Sequence, residues 1–454
     1  MAFTSFVFLL FFMPVVVLLF YAIFVRTGQV NIQRSLTGQK VFLIFSSILF
    51  YAWGEPKRLI LMLSMLILNF LLLKWAEAKP GKLHNVVTII LIGLNLLALI
   101  YGKFLAESLP LGLSFYTFRL LSAAIDRNRA KKQGDIKPLH ILDYALYISF
   151  FPQVISGPIQ RYDDFTKQVQ TLEVYPHDLV LGLKRFLPAL VVKVLVADQI
   201  FGLRTSLLDV SNLGSAEAWL GAFFYTIYIY LDFASYSAMA IGLSRIFGIH
   251  SPENFRTPYS AVSVSDFWRR WHMSLSFFFR DYVYIPLGGN RKGTGRQIIN
   301  ILVVWSLTGL WHGSTWNFLL WGLYYALWLL AEKFILMRVM DNTPTKLRQV
   351  FTFLIVHMGW VLFAFPQASE LLSYLRTMFG ANGLSNGQAL YTISANLVLI
   401  LVAILLCTPI AERLKHPKHK YLSVLYQVIL VILIILSIAY LVDQSFQSFL
   451  YFQF

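Results

Sequence analysis

Apolar stretches of membrane-crossing length, separated by short basic connections, set the pattern of this chain. Residues 3–24, 41–53, 59–73 and 86–102 are apolar nearly throughout, and runs such as LILMLSMLILNFLLL show no alternation of polar and apolar positions. A membrane barrel needs that alternation. Backbone groups in lipid need internal partners, so the remaining solution is a bundle of helices, each crossing taking about 20 residues. The pattern predicts an all-α, polytopic fold. The run over 3–24 has no basic segment before it and no small-residue cleavage site, which predicts a retained helix.

Further on the pattern loosens. LPLGLSFYTFRLLSAAI leads into the basic RNRAKKQGDIK. Residues 139–157 stop at SGPIQRYDDF, where Gly157-Pro158 interrupts a helix. Broken backbone at membrane depth is tolerated only against protein or a wet cavity. Residues 179–200 carry Lys184, Arg185, Lys193 and Asp198, which predicts an interfacial segment or one packed on a polar interior. Residues 217–247 surround Asp232, and further spans are expected near 298–312, 315–336, 351–365, 390–410 and 421–442. The sum is roughly a dozen membrane elements, several of them half-length or re-entrant. With no repeated block and no Pro/Gly/Ser-rich linker, residues 1–454 read as a single domain. GANGLSNG, within the hydrophilic connection 367–389, is a set of turn signals.

Composition narrows the class. With 57% hydrophobic and 13% charged residues, most of the surface faces lipid and not water. A net charge of +16 would point to nucleic acid in a soluble protein. Here the Lys and Arg residues concentrate in short loops, and such loops stay cytoplasmic. The expected neighbour is membrane lipid, with no nucleic acid. Arg26, Arg34 and Lys40 follow the first run, and Lys74, Lys79 and Lys82 follow the third. The alternation places the N-terminus outside the cytoplasm. The bases around Arg413, Lys415, Lys418 and Lys420 place the C-terminus outside as well, after one last crossing. A lone cysteine, Cys407, excludes an intramolecular disulfide, and no HExxH or Cys/His cluster predicts a metal.

Two blocks carry the candidate chemistry. DFWRRWHMSLSFFFRDYVYIPLGGNRKGTGRQ contains His272, and LTGLWHGSTWN contains His312. His312 lies between IINILVVWSLTGLW and STWNFLLWGLYYALWLL, in a membrane region where an ionisable group is costly and functional by default. With LPLGLSFYTF, SGPIQRYDDF, LDFASYSAMAIGLSRIFGI and the C-terminal FLYFQF, these blocks resemble the bacterial branch of the membrane-bound O-acyltransferases, over nearly the whole chain. That branch includes the membrane subunits of alginate and peptidoglycan O-acetylation. The resemblance implies helices around a central funnel or tunnel, in the bacterial cytoplasmic membrane. It implies transfer of an acetyl group from a cytoplasmic thioester, acetyl-CoA or an acyl carrier, with no resident cofactor. The acceptor it implies is an extracytoplasmic polysaccharide, alginate-like before peptidoglycan; teichoic acid D-alanylation is a third reading. The resemblance also implies a serine-esterase-type partner outside the membrane that completes the transfer. Secondary transporters often show internal repeat symmetry, and none is visible here; a non-catalytic export scaffold would leave His312 unexplained.

By the resemblance, His312 is the essential histidine and His272 the second polar residue, which orients substrate. An imidazole can take a hydroxyl proton near neutral pH. Gly309 and Gly313 flank His312 as a helix-packing face or as room for a thin substrate, two compatible readings. Trp268, His272 and Ser276 are spaced to share a helix face if the segment is helical, with Arg280 near them; an interfacial basic helix is the alternative. Trp311 and Asn317 complete the predicted substrate site. Arg291 and Lys292, in the glycine-rich IPLGGNRKGTGR, either meet donor phosphates or simply mark a cytoplasmic loop. Asp232 is expected in a buried pair, with an arginine as the anticipated partner, and His357 as a hydrogen-bonded core histidine. Tyr451 in FLYFQF is either an acyl relay or part of an aromatic anchor.

Overall fold

Helices form along the apolar runs, and some continue through proline, glycine or charge, as at Pro188 and Asp232. The computed structural model describes residues 2–25, 32–106, 109–208, 213–414 and 420–443, and every regular element among them is helical. Six described helices are long and apolar enough to cross a bilayer: Ser35–Gly54, Pro56–Glu77, Gly81–Leu105, Trp316–Leu336, Thr345–Ala364 and Tyr421–Val442. Gln388–Ala395 and Leu397–Leu406, bent by 77°, make a seventh if counted as one span. The first apolar run forms a shorter helix, Phe8–Phe24. Of the other expected members, Ser215–Ile246 runs for 32 residues around Asp232 and Thr294–His312 for 19. Ile141–Ser149 and Phe151–Val154 are separate pieces, and the second ends before Gly157-Pro158.

By contact the chain divides into two compact units. One takes Met1–Ala189, Tyr236–Glu253 and the end of the final helix. Its apolar centre is a group of rings from Phe3, Phe8, Phe12, Phe50 and Phe151, with Phe3 stacked on Tyr236 at 4.8 Å. Several polar groups buried there are paired. Lys40 meets Asp143 at 2.5 Å, and the Arg127 Nε donates to Glu77 at 2.7 Å. Asn69 and Asn95 exchange two amide hydrogen bonds, 3.1 and 2.8 Å, between two spanning helices. Helices in lipid gain little from apolar contact alone, so such polar pairs and close backbone approach hold them together.

The other unit takes Leu190–Ser235 and Asn254–Tyr440. Thr294–His312 and Trp316–Ala331 form an antiparallel hairpin at backbone distance. A Cβ on Gly309 would lie 2.3 Å from the Phe318 carbonyl oxygen, and one on Gly322 2.3 Å from that of Trp305. Only glycine permits that approach. The small-residue spacing around His312 is therefore a packing face, and the space beside Gly313 is filled by the Phe318 ring.

Deeper in this unit Lys193 is buried between two carboxylates, Asp198 at 2.5 Å and Asp232 at 2.6 Å. The local reason is a π-helical turn over Lys193–Ala197, whose last bond runs from the Asp198 N–H to the Lys193 carbonyl. A turn closed five residues apart instead of four brings residues i and i+5 back to one face. In an ordinary α-helix they diverge. The expected partner of Asp232 is an arginine; the observed one is a lysine, delivered by that turn.

Candidate active site

His312 is the last residue of the Thr294–His312 helix and is 3% exposed. Its ring sits in an aromatic shell: Trp311 at 4.7 Å, Trp321 at 5.0 Å, Phe363 at 5.2 Å and Phe318 at 6.4 Å between centroids. Three helices supply the shell. The Asn317 side-chain amide donates to the Phe363 carbonyl at 3.3 Å, tying the start of the second helix to the end of the third. Asn317 thus holds a wall of the His312 site in place.

His272 departs from the expected helix. Val264–Trp268 ends and Met273–Phe279 begins on either side of it, and His272 itself is left-handed, at φ 41° and ψ 53°. Among the described residues only it and Thr257, at φ 42°, are non-glycine residues with positive φ. Such a conformation costs about 1–3 kcal/mol and collects at functional sites. Trp268, His272 and Ser276 therefore do not share a helix face. Ser276 instead donates its hydroxyl to the Trp268 carbonyl at 3.2 Å. Trp268 packs edge-on against Trp305, Trp321 and Tyr325.

The two histidines are brought together through one ring. Trp311 lies 6.0 Å from His272 and 4.7 Å from His312, and Phe233 covers the other flank of His272 at 4.7 Å. The His272 Nδ1 accepts the Leu275 N–H at 3.3 Å. A neutral imidazole whose Nδ1 accepts carries its proton on Nε2. His272 is thus set as an Nε2–H donor.

The remaining predicted residues fall in three places. Arg280 is half exposed, paired with Asp281 at 2.8 Å and lying over the Phe277 ring. Arg291 and Lys292 are exposed in a loop where Gly288, Gly289 and Gly293 take positive φ. Tyr451, with His416 and His419, lies outside the described residues. His357 is a core histidine, its Nδ1 2.8 Å from the Thr226 hydroxyl and its ring stacked near Trp219 and Phe353. Among the described residues no group of three or more His, Cys, Asp or Glu is placed to hold a metal.

Three residues near the histidines escaped the sequence reading. Phe233 is one aromatic among many. Asn254 lies in a short loop without a motif. Glu332 caps the Val264–Trp268 helix from a distant element, accepting the Val264 N–H at 2.7 Å and the Ser265 N–H at 3.2 Å. A carboxylate at the end of the apolar run WNFLLWGLYYALWLLAE was its available signal.

A profile of the membrane-bound O-acyltransferase family matches residues 3–375, through both histidine blocks. The chain belongs to the membrane-bound O-acyltransferase family. Curated relatives agree with that assignment. A probable alginate O-acetylase from Pseudomonas fluorescens is 35% identical over 84% of this chain and 75% of its own. A peptidoglycan O-acetyltransferase from Helicobacter pylori is 31% identical over 76% and 75%. A teichoic acid D-alanyltransferase from Bacillus subtilis is 33% identical over 49% and 59%. As a membrane-bound O-acyltransferase the protein is an enzyme of acyl-transfer chemistry and a multi-pass membrane protein.

Proposed function

We propose that this O-acyltransferase moves an acetyl group from a cytoplasmic thioester, acetyl-CoA or an acyl-carrier protein, toward an extracytoplasmic polysaccharide. An alginate-like exopolysaccharide is the leading acceptor, because the relative named for alginate matches more of the chain at higher identity than those named for peptidoglycan or teichoic acid. The setting is the bacterial cytoplasmic membrane with both termini outside, following the basic loops, and a serine-esterase-type partner there completes the transfer. The family match through both units supports treating 1–454 as one functional domain.

His312 is the general base. The acceptor hydroxyl loses its proton to the imidazole as its oxygen attacks the thioester carbonyl carbon; the C–S bond breaks, and the thiolate takes that proton from the imidazolium and leaves as thiol. His272, holding its proton on Nε2, donates a hydrogen bond to the carbonyl oxygen as negative charge develops there. The buried indole N–H groups of Trp268 and Trp321, without acceptors among the described residues, are further donors for substrate oxygens. Ser276 and Asn317 support these walls through their hydrogen bonds. Arg280, Arg291 and Lys292, all exposed, are assigned to the acidic part of the donor. The observation that carries the reading is one ring, Trp311, in contact with two buried histidines of which one is backbone-strained.

His312→Ala tests it. Polymer acetylation is expected to vanish at normal protein level and membrane insertion. General-base catalysis contributes about 10²–10⁴-fold, so acetylation retained above about a tenth of wild type refutes the assignment.

A further inference from the structure

The left-handed backbone at His272 needs something to hold it, and three of the bonds across the kink come from one residue. The Asn254 carbonyl accepts the Met273 N–H at 3.0 Å, immediately after His272. Its side-chain Oδ1 accepts both the Ser274 N–H at 3.2 Å and the Ser274 hydroxyl at 2.9 Å. One step along, the Arg256 N–H donates to the Arg270 carbonyl at 3.0 Å, so the segment 254–256 pairs with 270–273 across the kink. Asn254 is 1% exposed and Ser274 3%. Two donors converge on Oδ1, which fixes the orientation of the amide: the flipped form would face an N–H with an NH₂. In that orientation Nδ2 is buried with no acceptor among the described residues. A buried amide left half-satisfied is costly, and an apolar residue would avoid that cost. The acceptor function of Oδ1 is what keeps an asparagine there.

We propose that Asn254 is a positioning residue for the acyl-transfer step. By clamping Met273 and Ser274 it holds His272 in its left-handed conformation, with Nδ1 over the Leu275 N–H and the Nε2–H presented to the reacting carbonyl. The inference rests on the reading that His272 contacts substrate. Removing the Asn254 side chain releases Ser274 while the main-chain bond to the Met273 N–H stays; residues 272–274 then relax toward ordinary helical geometry, which rotates the imidazole away and frees its tautomer. A displacement of about 1 Å at a reacting group costs about 10²-fold.

The test uses the full chain in membranes, with labelled acetyl-CoA as donor and rates normalised to monodisperse, detergent-extractable protein. Asn254→Ala is expected to lower kcat by roughly 10–100-fold while KM for acetyl-CoA changes less than about twofold. Asn254→Asp, which keeps both acceptor bonds, recovers most of that loss, and Ser274→Ala, which removes one bond of the two, falls between. In a His272→Ala background, with enzyme raised to read the residual rate, Asn254→Ala adds less than about twofold, because contacts acting through one group are not additive. A further tenfold loss in that background overturns the clamp, as does Asn254→Ala at more than half the wild-type kcat. His272→Ala at the wild-type rate is a separate failure: it removes the role of His272 itself, and the clamp's purpose with it.

Discussion

Lys193 offers a sharp test of how this fold carries buried charge. Its ammonium, with 1% of the side chain exposed, lies 2.5 Å from Asp198 and 2.6 Å from Asp232, themselves 12% and 1% exposed. Lys193→Met keeps the length of the side chain and removes the charge, leaving two carboxylates facing one apolar group. Removing one partner of a buried ion pair costs about 3–5 kcal/mol, a large share of the roughly 5–15 kcal/mol that holds a typical domain folded. Asp232→Asn is milder, since Lys193 and Asp198 remain paired; it forfeits one charge-assisted bond, about 1.5–3 kcal/mol. The triple change Lys193→Met, Asp198→Asn, Asp232→Asn leaves no charge buried, and its two amides can bond each other as Asn69 and Asn95 do elsewhere in the chain. It is expected to recover more than half of what Lys193→Met loses. The assay is the fraction of detergent-solubilised protein that stays monodisperse after stepped heating, which suits a protein that unfolds irreversibly. Two results refute the reasoning: Lys193→Met as heat-resistant as Asp232→Asn, or the triple variant no better than Lys193→Met.

Further outcomes follow from the site. Gly309→Ala places a Cβ 2.3 Å from the Phe318 carbonyl; prising the hairpin apart costs about 1–3 kcal/mol and shifts His312 within its shell, so both heat resistance and acetylation fall, and unchanged acetylation would count against a His312 site that depends on this packing. His272→Ala is more damaging to acetylation than His357→Ala, because His357 bonds Thr226 among core rings; the reverse ranking would relocate the site. Tyr451→Phe keeps the ring and removes the hydroxyl, so lost polymer acetylation with intact insertion supports an acyl relay, and near-normal acetylation leaves only an anchor.

What could be read from the sequence divides by range. The long apolar runs became spanning helices because lipid leaves a backbone few alternatives, and Gly157-Pro158 interrupted its segment through local chemistry. His312 was legible as an ionisable group inside an apolar stretch. The kink at His272 was not, because the spacing of Trp268, His272 and Ser276 suits a helix. What overrides it is the pairing of Asn254 and Arg256 with Arg270, Met273 and Ser274, a set of tertiary bonds. The partner of Asp232 was missed for a related reason. Lys193 and Asp198 share a face only once the π turn is known, and Asp232 reaches them from a helix more than thirty residues further along the chain.

That π turn changes how the chain can vary in length. Deleting one residue among Val194–Ala197 would convert it to an ordinary α turn, and Lys193 would then stand four residues from its carboxylate, still on the same face. Helix on both sides would keep its rotational phase. A single-residue gap, ordinarily ruinous inside a packed helix, becomes silent at this one point. Related chains can therefore differ by one residue within a buried helix here while preserving the same ionic cluster, and an alignment that forbids gaps inside helices would set Lys193 and Asp198 out of step.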